Sequence, residues 1–130
     1  MPVNEDLLRP IGLVAWAAIR LQHSVRDLTG LLDGQLSGDP FKTTLGGAIK
    51  DLRKKALQKN RQDVVDWCDN CGTPAANSRN GLMHAVGYTA HDGKQAIRSE
   101  KPSQPKDFTI DDVLAIADEL VEASVSRPSP

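Results

Sequence analysis

At 130 residues, with 16 basic and 17 acidic side chains, a net charge of −1 and 4% aromatic residues, the chain has the size of one domain with its own core. The near-neutral charge argues against a general nucleic-acid binder, and a chain this long needs no disulfide staples. The opening MPVNEDLLRP puts Glu5 and Asp6 where a secretory leader carries positive charge, and the uncharged run IGLVAWAAI is only nine residues, so a cytoplasmic protein with reduced thiols and no membrane association is expected.

The first predicted element is a long helix from about Arg9 to Leu32, rich in Leu, Ala, Ile and Val, with no Gly or Pro between Leu13 and Thr29. Its first half, LVAWAAI, is apolar on almost every side, which calls for several neighbours or a partner chain. In its second half Arg20, His23 and Asp27 form one polar line continuing up from Trp16. DGQLSGDP reads as a loop. Thr43 or Thr44 then caps a second helix with an apolar stripe of Leu45, Ile49, Leu52 and Ala56.

The second helix and its flanks are basic. Residues 42–61 hold Lys42, Lys50, Arg53, Lys54, Lys55, Lys59 and Arg61 against the single acid Asp51. Residues 107–122 hold Asp107, Asp111, Asp112, Asp118, Glu119 and Glu122 with no base. Two solvated faces that complement each other or a neighbouring subunit explain this pattern, and so does a phosphate-attracting surface at Lys50, Arg53 and Lys54.

A third helix, from about Arg61 to Cys71 and closing at Gly72, carries the W-C-x-x-C of VVDWCDNCGTP. A thioredoxin-type C-x-x-C follows a strand and opens a helix, where the dipole lowers the thiol pKa. Here the cysteines close a helix, at helical spacing from Val64. With no third cysteine and histidines scattered at 23, 84 and 91, zinc ligation is not expected. Cys68 and Cys71 are therefore predicted as small buried hydrophobes, with a thiol oxidoreductase as the minor alternative.

Thr73 as N-cap and Pro74 at the first helical position predict a short helix to about Val86. It contains RNGLMH, residues 79–84. Asn80 and His84 are one turn apart on one face, and the long side chain of Arg79 reaches the same concavity from the side. A planar cation for phosphate, an orienting amide and an imidazole titrating near neutrality are the groups needed to cleave RNA without a metal. The RNA's 2′-hydroxyl attacks the adjacent phosphorus, a base takes its proton, a cation steadies the phosphorane and an acid protonates the leaving oxygen. The same letters also fit a structural reading, with Arg79 paired to a carboxylate such as Asp27 and His84 satisfied in the core.

This arrangement, with a long first helix, a basic second helix and R-N-x-x-x-H on a late short helix, resembles the HEPN superfamily (higher eukaryotes and prokaryotes nucleotide-binding domain). The resemblance implies a dimeric bundle of four or five helices, and in many members a metal-independent ribonuclease of toxin–antitoxin, abortive-infection or RNA-processing systems. Carried over, it makes Arg79, Asn80 and His84 the catalytic group, with two copies meeting across a homodimer interface. Arg20, His23, Asp27 and Tyr88 are candidate supporting residues. Other members of the superfamily lack activity and act as interaction modules or partners of nucleotidyltransferases, so an antitoxin or nucleotidyltransferase partner, or a non-catalytic module, is the alternative expectation.

Farther on, Val86, Tyr88 and Ala90 alternate before Asp92-Gly93, which predicts a two-stranded hairpin at 86–98 with His91 solvated beside its turn. Thr109 with Asp112 imitates a capping box and opens a last helix with Val113, Ile116, Ala117, Leu120 and Val121 as its stripe. SVSRPSP reads as a frayed tail. The expectation is an all-α, up-and-down bundle of four or five helices with a small β-hairpin before the last helix. Residues 1–125 form the single domain and 126–130 a flexible tail, with no metal and no cofactor.

Overall fold

The computed structural model describes residues 5–34, 43–92, 97–98 and 107–130, with side chains for 6–34, 43–86 and 108–130. Five helices carry the architecture: α1 Glu5–Leu31, α2 Leu45–Gln58, α3 Gln62–Trp67, α4 Thr73–Asp92 and α5 Ile110–Val125. A two-residue antiparallel pairing of β1 (Ile97–Arg98) with β2 (Asp107–Phe108) sets Ile97 opposite Phe108.

Helix α1 begins at least four residues before the expected start and contains Pro10. A proline near a helix N-terminus forfeits one backbone hydrogen bond. The turn before it is held by burial of Leu7, at 6% exposure. Thr44 caps α2 by accepting from the Gly47 amide, and Thr109 and Asp112 complete a reciprocal capping box on α5. Helix α2 stops in a Schellman arrangement: Asn60 takes a left-handed φ of 57°, its amide donates to Leu57 and the Arg61 amide donates to Ala56. Asn tolerates that backbone better than most residues.

The chain does not break at Gly72 as its sequence suggests. The backbone stays right-handed helical at Cys68 and Thr73, and Cys68–Gly72 forms a π-turn joining α3 to α4. Pro74 supplies the reason. It has no amide to offer the carbonyl one turn back, and its ring crowds that carbonyl. A π-turn widens the ladder at that point, and the Thr73 amide donates to Cys68 O, five residues earlier.

The direction of each helix follows from its bonds. Gln22 donates to Thr43 O, Arg26 pairs with Asp51, and Asp33 receives Lys55 and Lys59, so contacts advance together along α1 and α2, which run parallel. Arg53 meets Asp69 while the earlier Ile49 meets Cys68 and Gly72, so the α3–α4 run is antiparallel to α2. Arg61 reaches the carbonyls of Ser129 and Pro130 while Trp67 reaches Ala123, so α5 is antiparallel to α3. Arg127 donates to Ser24 O, with Val121 beside Trp16 and Ala17 farther back, and α5 thus runs parallel to α1.

Three helices therefore point one way and the α3–α4 run the other, which corrects the expected up-and-down order. The expected hairpin at 86–98 is also contradicted, because α4 stays helical through Asp92. Val86 follows the fully buried Leu82 by one turn and packs on the same core, so the helical stripe prevails over the local alternation. The all-α class fits.

The core is one cluster drawn from all five helices and centred on Val14, Leu21, Val25, Leu28, Ile49, Leu52, Val64, Leu82, Val113 and Leu120. Each such side chain contributes about 1.5–3 kcal/mol on burial. Trp67 ties the layers together. Its indole Nε1 donates to Ala123 O and Ser126 Oγ, both at 3.2 Å. Gly72 is glycine because of this packing: a Cβ there would lie 3.0 Å from the Trp67 ring and 3.4 Å from Ile49 Cγ2.

Candidate functional site on helix α4

Helix α4 presents its apolar face inward through Ala75, Ala76, Leu82 and Ala85, all buried. The phase set by these residues turns Asn80 and His84 outward together, and both are exposed. Arg79 lies nearer the core and is half-buried. Its Nη1 donates to Asn80 Oδ1 at 3.1 Å, and its Nε is buried without a hydrogen bond. The Asn80 amide thus meets the guanidinium at the border between core and solvent. An arginine fixed in this way offers a preorganised cation to a phosphate oxygen. Between them, Gly81 has nothing within 4 Å of a would-be Cβ. The fold itself does not demand glycine there, and the bare backbone leaves room for close approach.

No ion pair joins Arg79 to Asp27 among the described residues, and His84 is exposed rather than packed in the core.

The supporting residues are placed differently. Arg20 stands on α1 with its guanidinium 5.0 Å from the centroid of the Trp16 ring. Both line a groove against α5 rather than the Asn80–His84 face. His23 is exposed on the same helix and Asp27 is half-buried. The backbone at Tyr88 is helical, but the side chains of Tyr88 and His91 lie outside the described residues.

The basic segment is largely neutralised within the chain. Arg53 makes a two-pronged contact with Asp69 at 2.8 and 3.2 Å, and this hydrogen bonding holds the Asp69 carboxyl below the usual carboxylate range. Lys55 and Lys59 share Asp33, and their bonds lower its pKa in the same way. Arg61 pairs with Asp63 and also donates to the last two carbonyls of the chain. Lys50 and Lys54 are exposed on the solvent face of α2, with no ion pair among the described residues. Of the three candidate nucleic-acid contacts, Arg53 is the one engaged by a carboxylate of the chain. No feature of the letters marks Asp69 as the partner of Arg53, because the pairing depends on α2 and α3 lying antiparallel.

The thiols belong to the core. Cys68 is fully buried, its Sγ lies 3.8 Å from Ile49 O, and burial pushes its pKa from 9.0 to about 11. A nucleophilic thiol needs the opposite shift. Cys71 is half-buried, and both cysteines are free. Among the described residues no group of three His, Cys, Asp or Glu side chains converges on a metal-sized site, and no helix is long and apolar enough to cross a membrane.

Comparison with known proteins adds no family to these observations: no family model, no curated protein and no solved structure matches the chain.

Proposed function

We propose that this protein is a metal-independent endoribonuclease of the HEPN type, working in the cytoplasm as a homodimer with Arg79, Asn80 and His84 of both copies in one cleft. The observation that carries this reading is the α4 face itself: His84 and Asn80 exposed one turn apart, with Asn80 Oδ1 holding the Arg79 guanidinium beside them. In the reaction the 2′-oxygen of RNA bonds to the adjacent phosphorus as its proton passes to a base. The bond from phosphorus to the 5′-oxygen breaks, and that oxygen takes a proton from an acid. The products are a 2′,3′-cyclic phosphate and a 5′-hydroxyl. One imidazole serves one proton transfer at a time, so a second copy of His84 supplies the other. Arg79 stabilises the charge gathering on the phosphorane oxygens, and Asn80 keeps Arg79 in place. Lys50 and Lys54 add electrostatic attraction for the RNA backbone.

A toxin, defence or RNA-processing role suits this chemistry, with an antitoxin or nucleotidyltransferase as the regulating partner. A second reading, a non-catalytic interaction module, is favoured by one feature: the row of exposed large apolar side chains on α1 and α5, including Leu13, Trp16, Val121 and Val125.

The test is cleavage of single-stranded RNA in excess EDTA, with the termini identified. The ribonuclease reading expects cyclic or 3′-phosphate ends, survival of DNA, and a loss of both rate and RNA binding on Arg79→Ala. Inactivity on varied RNAs, beside a HEPN nuclease of proven activity, rejects it and leaves the module.

A further inference from the structure

The outer faces of α1 and α5 meet in an open groove of about 230 Å³ lined by Trp16, Ala17, Arg20, Val121, Ser124 and Val125. Its rim is unusually apolar for a solvated surface: Trp16 is 52% exposed and Val125 75%, with Leu13 and Leu114 continuing the two edges. Large exposed side chains gathered in one row mark a surface that is covered in the working protein. At the groove the Ser124 hydroxyl oxygen is buried and has no hydrogen-bond partner. On the outward side of α1, Gly12 has nothing within 4 Å of a would-be Cβ. The fold does not demand a glycine in the middle of this helix, where it costs about 1 kcal/mol against alanine, whereas close approach of another backbone does explain it.

The charges on the two lips decide what covers the groove. At the groove the α1 lip carries Arg9 and Arg20, both exposed, on the outward side of α1 with Trp16, while Asp27 on the same line is half-buried farther along the helix. The α5 lip carries Asp111, Asp118 and Glu122, also exposed. Among the described residues none of these three acids makes an ion pair, whereas Asp33, Asp51, Asp63 and Asp69 are all paired. A partner of uniform charge would satisfy one lip and oppose the other. A second copy related by a two-fold axis along the groove satisfies both, because each basic lip then faces an acidic one. Since α1 and α5 run parallel, this rotation keeps the levels matched, and Arg20 of each copy falls opposite Asp118 and Glu122 of the other.

We propose that the α1–α5 groove is a self-complementary interface that binds a second copy of this chain, with Trp16 and Val121 at its centre and Arg20 paired to Asp118 and Glu122 across it. This surface is separate from the α4 face and does not depend on the ribonuclease reading; where the α4 pairing also forms, the groove joins those dimers into a larger oligomer. It is read out by molecular mass, not by cleavage.

The experiment is light scattering after size exclusion, across the micromolar range, with tryptophan emission followed on dilution, in which buried Trp67 is the constant background and exposed Trp16 the reporter. The expected result is an oligomer whose mass falls by half in Arg20→Glu and in Val121→Asp. It should be restored in the double variant Arg20→Glu with Asp118→Arg, and wild-type emission should shift to longer wavelength as the protein is diluted. A wild-type protein that stays monomeric across that whole range overturns the proposal. So does an oligomer indifferent to both single variants, which places self-association elsewhere. A monomer whose Trp16 emission responds to a basic amphipathic peptide overturns it as well and assigns the groove to another protein.

Discussion

Two short motifs lie on one uninterrupted helical run from Gln62 to Asp92, and they meet opposite fates. In the first, Trp67, Cys68 and Gly72 are buried, and their polar atoms are spent on α2 and α5: the indole on Ala123 and Ser126, the thiol on Ile49. In the second, Asn80 and His84 face solvent, and Arg79 donates to its own neighbour, Asn80. A motif's letters are equally suggestive in both cases. What separates them is the phase of the helix against the core and how many elements close over that phase. The π-turn at Cys68–Gly72 falls between the two motifs and so sets the rotation that directs Asn80 and His84 outward.

The contrast is broken most forcefully at Trp67. Trp67→Ala should cost about 3–5 kcal/mol, the range for deleting a large buried aromatic, and denaturant titration measures it. Total stabilities of domains run to about 5–15 kcal/mol, so this variant should be largely unfolded on mild warming. Gly72→Ala comes next. The added methyl presses on the Trp67 ring, and overpacking of this kind costs about 1–3 kcal/mol. A thermal melt unchanged from wild type would show that the ring yields freely.

The thiol gives a smaller effect with a defined sign. Cys68 holds its proton up to about 11 in the folded chain against an ordinary 9.0. Between those values the unfolded chain has fewer bound protons, so stability falls as pH rises through the window and is unaffected below it. Cys68→Ala should flatten that decline. Cys68→Ser should be the less stable of the two at neutral pH, because a buried hydroxyl has no assured partner beyond Ile49 O. The smallest effect belongs to the basic helix. Lys50→Ala and Lys54→Ala should each lower the salt dependence of RNA binding by about one phosphate contact. Arg53→Ala should change it less, since Asp69 already occupies that guanidinium.

Much of the fold was legible because it rests on local signals. The stripes of α2 and α5, the Thr44 cap and the Thr109–Asp112 capping box all follow from spacing and from side-chain oxygens competing for free helix amides. The placement of Asn80 and His84 on a common face was legible for the same reason. The parallel course of α1 and α2 was not, because the thirteen residues 32–44 between them are long enough for either a parallel or an antiparallel neighbour, and length alone does not choose. The hairpin expectation failed where Val86, Tyr88 and Ala90 satisfied a two-residue period while Leu82 and Val86 satisfied a helical one. A core already packed by Leu82 favours the second. The π-turn is readable in retrospect from Pro74 following Cys68 and Cys71 within a helix that does not stop.

The most direct measurement is a side-by-side assay of RNA cleavage in EDTA by the wild-type protein, His84→Ala, and the Cys68→Ala, Cys71→Ala double variant, each verified as folded. His84→Ala is expected to lower the rate by roughly 10² to 10⁴, the loss expected for a general acid or base, and the double cysteine variant to keep the wild-type rate. Cleavage that survives the loss of His84, or that disappears with the two thiols, would contradict that expectation.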